Sequence, residues 1–143
     1  MAVKQYLNAF QNNSATIRDV TAADITNAAH KAVTFNNDGE LILPATNGAP
    51  AVGFILSDAP GYESGSDIVT PAGSEVDVLI KDIGLGIAAG ASVKGAAVTV
   101  TTTGAVQTAV AGNFILGFAM TAASAAGALV QVQLTKSGYV PAS

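Results

Sequence analysis

Apolar and polar residues alternate over two short segments of the chain, which is the pattern of a β-strand with one buried face. Residues 75–80 read Glu-Val-Asp-Val-Leu-Ile, and residues 129–134 read Leu-Val-Gln-Val-Gln-Leu. The pattern predicts two strands of one design, whose outward faces are acidic in the first and neutral in the second. The apolar positions are Val76, Val78 and Ile80 in the first segment and Val130, Val132 and Leu134 in the second.

These segments belong to a longer internal repeat. Residues 32–39 match residues 97–104, Gly53-Phe54 matches Gly117-Phe118, and residues 72–80 match residues 126–134. We therefore predict a single β domain over residues 15–143, with a first repeat over about residues 32–80 and a second over about 97–134. An extended N-terminal arm, residues 1–14, precedes it. The predicted fold class is all-β, a small β barrel or sandwich built from two pseudo-repeats with little helix.

Turn residues divide the apolar runs into short strands. Asp38-Gly39 between residues 33–35 and 40–43 predicts a hairpin, and Thr102-Thr103-Gly104 between residues 98–100 and 106–110 is a weaker copy of it. Buried strands are predicted at 52–56 and 115–120, where an internal glycine indicates a bulge or a close backbone approach. The first repeat carries an insertion, residues 60–69, in which Ile68-Val69-Thr70 is predicted to form an edge strand that ends at Pro71.

Two further segments are open to more than one interpretation. Thr21 and Asp24 have the spacing of a capping box, which could begin a helix through Lys31. Residues 25–28 also resemble residues 87–90, which would make them a turn before the repeat, and both alternatives stay open. Residues 84–90 lack one glycine of a dinucleotide-binding fingerprint, and a strand pattern follows them instead of a helix. We predict that they form a turn-rich linker between the repeats.

Composition excludes several classes of function. The chain has a net charge of −4 with 6 Lys and Arg residues, which is too few for a nucleic-acid-binding surface. It has no Cys, so disulfides, thiolate nucleophiles and Cys-ligated zinc are absent. The first residues lack the apolar run of a signal peptide. Residues 114–130 are long enough for a membrane span, but they are mostly Ala, Gly, Ser and Thr, so we predict no membrane partner.

Charge is divided unevenly between the repeats. Residues 38–82 contain eight acidic residues against one lysine, whereas residues 95–135 contain no charged residue at all. This favours the second repeat for contacts between subunits and the first repeat for the face toward water.

Residues that could support catalysis are few. His30 is the only imidazole, and no Gly-x-Ser-x-Gly motif accompanies it, so acyl transfer is not supported. The acidic residues suit neither a calcium loop nor a glycosidase pair, since Glu75 and Asp77 share the outward face of one strand. We predict a non-enzymatic protein without catalytic residues, cofactor or metal. The carboxylates considered are Asp38, Glu40, Asp67, Glu75 and Asp77.

Several phrases of the chain resemble the capsid cement, or head decoration, proteins of tailed bacteriophages. They are Gly53-Phe-Ile-Leu, Gly73-Ser-Glu-Val-Asp-Val, Gly86-Ile-Ala-Ala-Gly-Ala-Ser-Val and the stretch 116–134, and the resemblance covers about residues 25–134. It implies a β barrel or sandwich that is made in the host cytoplasm and trimerises on the outer capsid surface of the virion. There it would bind the major capsid protein and stabilise the head without catalysis.

In related decoration proteins an N-terminal arm often lies on the capsid, so the resemblance implies the same for residues 1–14. The capsid-binding residues of the arm would be Lys4, Tyr6, Leu7 and Phe10. Taken by itself, the composition of this segment equally fits a disordered terminus. The acidic insertion departs from the family pattern.

A second interpretation is a β module of a phage fibre or cell-surface protein that binds a glycan or a receptor. It requires an exposed aromatic cluster, for which only Tyr62 and Tyr139 are candidates.

Overall fold

The computed structural model describes residues 15–58 and 61–142, and within these ranges every regular element is a β-strand. The all-β prediction is confirmed. In chain order the strands are β1 (Thr16–Val20), β2 (Ile25–Thr26), β3 (Ala32–Phe35), β4 (Leu41–Ile42), β5 (Gly53–Ile55), β6 (Tyr62–Ser64), β7 (Asp67–Thr70), β8 (Glu75–Leu79), β9 (Asp82–Ile87), β10 (Ala97–Val100), β11 (Val106–Thr108), β12 (Gly117–Ala119) and β13 (Leu129–Leu134).

The strands form three antiparallel sheets, of which two share one strand order. The first sheet runs β1-β8-β5-β3-β4, the second β9-β13-β12-β10-β11, and the third, smaller sheet β2-β7-β6. In each large sheet a parallel bridge joins the residue after the edge strand to the strand at the opposite edge, Thr21 to Leu41 in the first and Ala88 to Val106 in the second. The two large sheets are therefore two versions of one unit, in which β1 corresponds to β9 and β8 to β13.

Both predicted hairpins are confirmed. β3 pairs with β4, and β10 pairs with β11. Gly39 and Gly104 both have a φ of 80°. This left-handed conformation is open to glycine at little cost, so the sequence forms these turns locally. The amide oxygen of Asn36 also accepts hydrogen bonds from the backbone N–H groups of Asp38 and Glu40, at 2.9 Å each.

The glycines predicted to mark close backbone approaches do so in both large sheets. A Cβ at Gly53 would overlap the carbonyl oxygen of Leu79, and a Cβ at Gly117 would overlap that of Gln133. Each glycine lies at the start of a three-residue strand, β5 or β12, beside the long alternating strand β8 or β13. Only a residue without a side chain lets these strands approach so closely.

The prediction of a turn-rich linker at residues 84–90 is wrong. Most of this segment is strand β9, which pairs with β13 from Asp82 opposite Leu134 to Ile87 opposite Leu129. Gly84 and Gly86 face the ring of Phe54, whose nearest carbon lies 2.9 Å from the position that a Cβ at either glycine would take. Glycines are usually weak strand residues, but here the aromatic ring fills the space of their missing side chains.

The edge-strand prediction for residues 68–70 is also wrong, because β7 is the middle strand of the third sheet. The insertion turns back on itself at Gly65, and the resulting strand β6 covers the outer side of β7. β2 pairs with the other side of β7.

Residues 21–31 form no helix, and the turn alternative holds only in part, because residues 25–26 are strand β2 and turns follow at 27 and 29–30. The Thr21 hydroxyl donates to the carbonyl oxygen of Pro71 at 3.0 Å, and the carboxylate of Asp24 accepts from the backbone N–H of Ala72 at 2.8 Å. Both supposed capping residues therefore bind the loop after β7 instead of a helix of their own.

The core consists of two clusters, and Phe54 crosses from the first sheet into the second cluster. The alternating valines divide as predicted, with Val76 and Val78 buried in the first cluster and Val130 and Val132 in the second. Phe54 belongs to a first-sheet strand, yet it packs with the second-sheet cluster. Burying such an aromatic ring is among the largest single contributions a core residue makes.

Thr99 on β10 is fully buried, and its hydroxyl has no hydrogen-bond partner among the residues that the structure describes. Thr99→Val replaces this hydroxyl by a methyl group of the same shape, so the free energy of unfolding should rise by about 1 kcal/mol in urea unfolding. Thr101→Val is the control, because the Thr101 hydroxyl bonds Thr103 and accepts from Ala105 N–H. The control should be destabilised; equal effects of the two substitutions would contradict the prediction.

Candidate interaction surfaces

The residues with the best chemistry for a reactive site instead hold loops in place. His30 is half-buried with a φ of 68°, and its backbone N–H donates to the carbonyl oxygen of Ile55 at 2.7 Å. The carboxylate of Asp58 accepts from Ala29 N–H, and that of Asp67 accepts from the side-chain amide of Asn27. No cluster of three or more metal-ligating side chains occurs in residues 15–58 and 61–142. Within the same ranges, no helix is long and apolar enough to cross a membrane.

Two lysines bind backbone carbonyls at the ends of the repeats. Lys31 Nζ donates to Thr26 at 2.6 Å, and Lys136 Nζ donates to Ile80 at 2.8 Å. Partial burial lowers the pKa of each lysine below its ordinary value, and for Lys31 the carboxylates of Asp58 and Asp67 oppose this effect. Lys136 thereby joins the segment after β13 to the end of β8.

The outer face of the first sheet is charged where it meets solvent. Arg18 on β1 lies directly opposite Asp77 on β8, and its Nε donates to the carboxylate at 2.9 Å. This hydrogen bond holds the pKa of Asp77 below its usual value and raises the pKa of Arg18. Both side chains are well exposed, and such surface pairs contribute little to stability. Glu75, two residues before Asp77 on β8, lies on the same face, so this part of the face is charged and in contact with water.

The equivalent part of the second sheet is uncharged and apolar. Leu85 on β9 and Gln131 on β13 face each other in the register that Arg18 and Asp77 occupy in the first sheet. Ile83 is 51% exposed and Leu129 52%, which is high for large aliphatic side chains. We call this surface the neutral face and define it by six residues: Ile83, Leu85, Phe118, Leu129, Gln131 and Gln133.

Part of the neutral face corresponds to a surface that, in the first sheet, is buried inside the molecule. In the first sheet Phe54 pairs with Leu79, and both side chains pack against the glycines of β9. The second-sheet equivalents are Phe118 and Gln133, which also pair. Phe118 is only half-buried and Gln133 is exposed. The same outer surface is thus an internal interface in one repeat and open in the other.

Loops seal this internal interface on the first sheet. The backbone N–H of Gly48 donates to Val100 at 2.8 Å, and that of Ala32 donates to Gly104 at 2.8 Å. The turn of the β10–β11 hairpin is thereby held against the first sheet. Its counterpart, the β3–β4 turn, is open, since among the described residues only the chain neighbours of Gly39 come within 4 Å of a Cβ built there.

On the second sheet the C-terminal segment takes the equivalent place. The backbone N–H of Gly112, the counterpart of Gly48, donates to Val140 at 3.0 Å. The ring of Tyr139 packs edge-on against Phe114 with 5.5 Å between centroids. The segment 138–140 therefore covers a loop that in the first repeat is covered by the other repeat.

The structure places the sequence-predicted binding residues as follows. Tyr62 lies on β6 of the third sheet and Tyr139 in the C-terminal segment; both are exposed, and within the described residues the Tyr139 ring pairs with Phe114 and not with Tyr62. The predicted arm residues lie outside the described residues: Lys4, Tyr6, Leu7 and Phe10.

The β9 part of the neutral face, Ile83 and Leu85, is what the sequence reasoning missed, although it favoured the second repeat for contacts between subunits. Residues 83–87 read Ile-Gly-Leu-Gly-Ile, which has the two-residue period of a strand with small residues on one side. The glycines directed attention to nucleotide-binding turns, although the alternation itself indicated the strand and its apolar outward face.

Comparison with known families gives one finding. A family model described as Structural cement protein (E217 gp24/Pam3 gp6) matches residues 7–135, which is most of the chain. No curated protein and no solved structure gives a significant match.

Proposed function

The chain belongs to the structural cement protein family of phages, and on that premise we propose that it decorates the outer surface of a bacteriophage head as a homotrimer bound to the major capsid protein. Membership makes it a structural protein of the virion that associates with the capsid. The outer location, the trimer and the identity of the capsid partner are the parts that we propose.

The observation that carries the proposal is the neutral face on a chain whose acidic residues lie elsewhere. An exposed apolar surface of this kind is typical of a protein that is covered by other chains in its assembly. Attachment of many copies through modest contacts stiffens a shell by avidity, and no turnover is required. The proposed role is therefore non-enzymatic, and the carboxylates of Asp58 and Asp67 serve as hydrogen-bond partners of neighbouring loops.

The N-terminal arm, residues 1–14, is proposed as a capsid-binding element. Strand β1, which follows the proposed arm in the chain, begins at Thr16 and lies at the edge of the first sheet. Its contact residues would be Lys4, Tyr6, Leu7 and Phe10. Aromatic side chains such as Tyr6 and Phe10 are enriched in protein–protein interfaces, where they act as anchors.

Deletion of residues 1–13 should abolish decoration while the β domain remains folded. Heads that lack the protein would be incubated with each variant and the bound fraction measured by co-sedimentation and negative-stain imaging. Because the arms of a homotrimer would bind the head together, their loss should weaken apparent binding by at least about 100-fold, which removes detectable decoration. A variant lacking residues 141–143 is the matched control at the other terminus.

Three outcomes test this proposal. Normal decoration by the truncated protein would refute the role of the arm. Failure of the full chain to bind heads would refute the proposed function as a whole. A light-scattering mass of one subunit at micromolar concentration would refute the trimer.

A further inference from the structure

The outer faces of the two large sheets share one backbone arrangement but differ in chemistry. We propose that the neutral face is the surface on which another subunit of this chain docks. This inference rests on the proposed function, because it assigns the surface through which the proposed homotrimer assembles.

The fold itself does not require apolar side chains on this face. At equivalent positions the first sheet keeps the same strand pairing with Arg18 and Asp77 where the second has Leu85 and Gln131. The same strand pairing therefore forms with an ion pair at these positions. The fold of the isolated chain does not require exposed leucines at Leu85 and Leu129. A row of exposed aliphatic residues beside a half-buried aromatic residue indicates a surface that is covered in the assembled state.

Charge favours another subunit over a different partner. The chain has a net charge of −4, and eight of its ten acidic residues lie between residues 38 and 82. Subunits therefore repel one another through most orientations. Within β9 and β13 the only charged residue is Asp82, at one end of the pair. The neutral face is where two like-charged subunits can meet without bringing their acidic residues together.

The polar residues of the face are also suited to contact with a second copy. A glutamine side chain both donates and accepts hydrogen bonds, so Gln131 and Gln133 can pair with the same residues of another subunit. A surface that carried only carboxylates or only ammonium groups could not pair with itself.

The equivalent surface of the first sheet already forms a packed interface within a single chain. In the first sheet, Phe54 and Leu79 take the places of Phe118 and Gln133. Strand β9 of the second sheet covers them. If another subunit docked on Phe118 and its neighbours, it would cover the second sheet at the position where β9 covers the first. The contact would differ in detail, because β1 carries Ile17 and Asp19 where β9 has its two glycines.

Grafting the charged pair of the first sheet onto the second tests the inference. The double variant Leu85→Arg/Gln131→Asp places an ion pair on the neutral face in the register that already accommodates Arg18 and Asp77. The reverse variant, Arg18→Leu/Asp77→Gln, is the matched control. Mass by light scattering over a range of concentrations, circular dichroism and the unfolding midpoint would be measured for each protein.

We expect the graft to keep the fold and to raise the dissociation constant of the oligomer by at least about 100-fold, since the introduced ion pair must lose its water to enter the interface and the facing subunit offers it no charged partner. The reverse variant should keep the wild-type mass. An oligomer of unchanged strength in the graft, or equal weakening of graft and control, would overturn the inference. So would a wild-type mass of one subunit at every concentration.

A second measurement does not depend on these charge changes. The chain has no cysteine, so Gln131→Cys and Asp77→Cys each introduce a single reactive thiol. Maleimide labelling at Gln131→Cys should slow as concentration rises, while labelling at Asp77→Cys should not. Labelling of Gln131→Cys that is independent of concentration would overturn the inference. Head binding is assayed separately, so normal decoration by a protein that fails these tests would leave the proposed function standing.

Discussion

Phe54→Ala is expected to lower the free energy of unfolding by about 3–5 kcal/mol, the usual cost of removing a fully buried aromatic ring. Phe54 is 1% exposed and packs in the second core cluster although its strand belongs to the first sheet. Its ring occupies the space beside Gly84 and Gly86, so truncation leaves a cavity at the junction of the two sheets. Urea unfolding followed by circular dichroism would measure the loss.

Phe35→Ala is the control, because that ring is 38% exposed at the end of β3 and its removal opens no internal cavity. The control should cost clearly less than Phe54→Ala. A second comparison uses Gly86→Ala, whose new Cβ would lie 2.9 Å from the ring of Phe54. Gly86→Ala should be less harmful in the Phe54→Ala background, since the obstructing ring is gone. Additive effects of the two substitutions would refute the assigned packing.

Gly117→Ala is expected to lower the free energy of unfolding by about 3 kcal/mol or more, at or above the upper end of the usual cost of overpacking. The added Cβ would overlap the carbonyl oxygen of Gln133, which is a backbone atom and cannot rotate away as a side chain does. The paired strands β12 and β13 would have to separate, and their hydrogen bonds would weaken. Thermal and urea unfolding, together with the soluble yield, would report the effect.

Two further variants test whether the close strand approach causes the loss of stability in Gly117→Ala. Gly53→Ala should behave in the same way, because its Cβ would overlap the carbonyl oxygen of Leu79 at the equivalent place in the first sheet. Gly90→Ala should change stability little, since in the described part of the chain nothing beyond its own chain neighbours lies within 4 Å of the added Cβ. If Gly90→Ala were as harmful as Gly117→Ala, the close strand approach would not account for the loss, because Ala in place of an unhindered Gly lowers the entropy of the unfolded chain and should not destabilise the fold.

The division between the two sheets has a consequence for the proposed assembly. The outer face of the first sheet is covered within the chain at Phe54 and solvated at Arg18 and Asp77, whereas that of the second sheet is left neutral and exposed. A protein that covers a shell in many copies needs a surface for its own subunits, a surface for the shell and a surface for water. We assign the neutral face to the first of these tasks and the N-terminal arm to the second as proposals.

Local features of the fold could be predicted from the sequence because their causes are local. Alternation at 75–80 and 129–134 sets which side chains are buried through the two-residue period of a strand. Asp38-Gly39 and Thr103-Gly104 form turns because glycine reaches the left-handed region at little cost. The acidic first repeat and the uncharged second repeat can be read directly along the chain.

The identity of β9 and the neutral face depend on contacts between residues far apart in the sequence. Gly84 and Gly86 form a strand because Phe54, which comes earlier in the chain, fills the space beside them. Leu85 and Gln131 become counterparts of Arg18 and Asp77 only through the register of β9 with β13 and of β1 with β8. The sequence by itself determined the two hairpins and the alternating strands β8 and β13, whereas strand pairing across the whole domain decided which face is covered and which is left for a partner. The reason is physical: a side chain's period follows from its own strand, but the atoms that cover it come from whichever distant segment pairs or packs there.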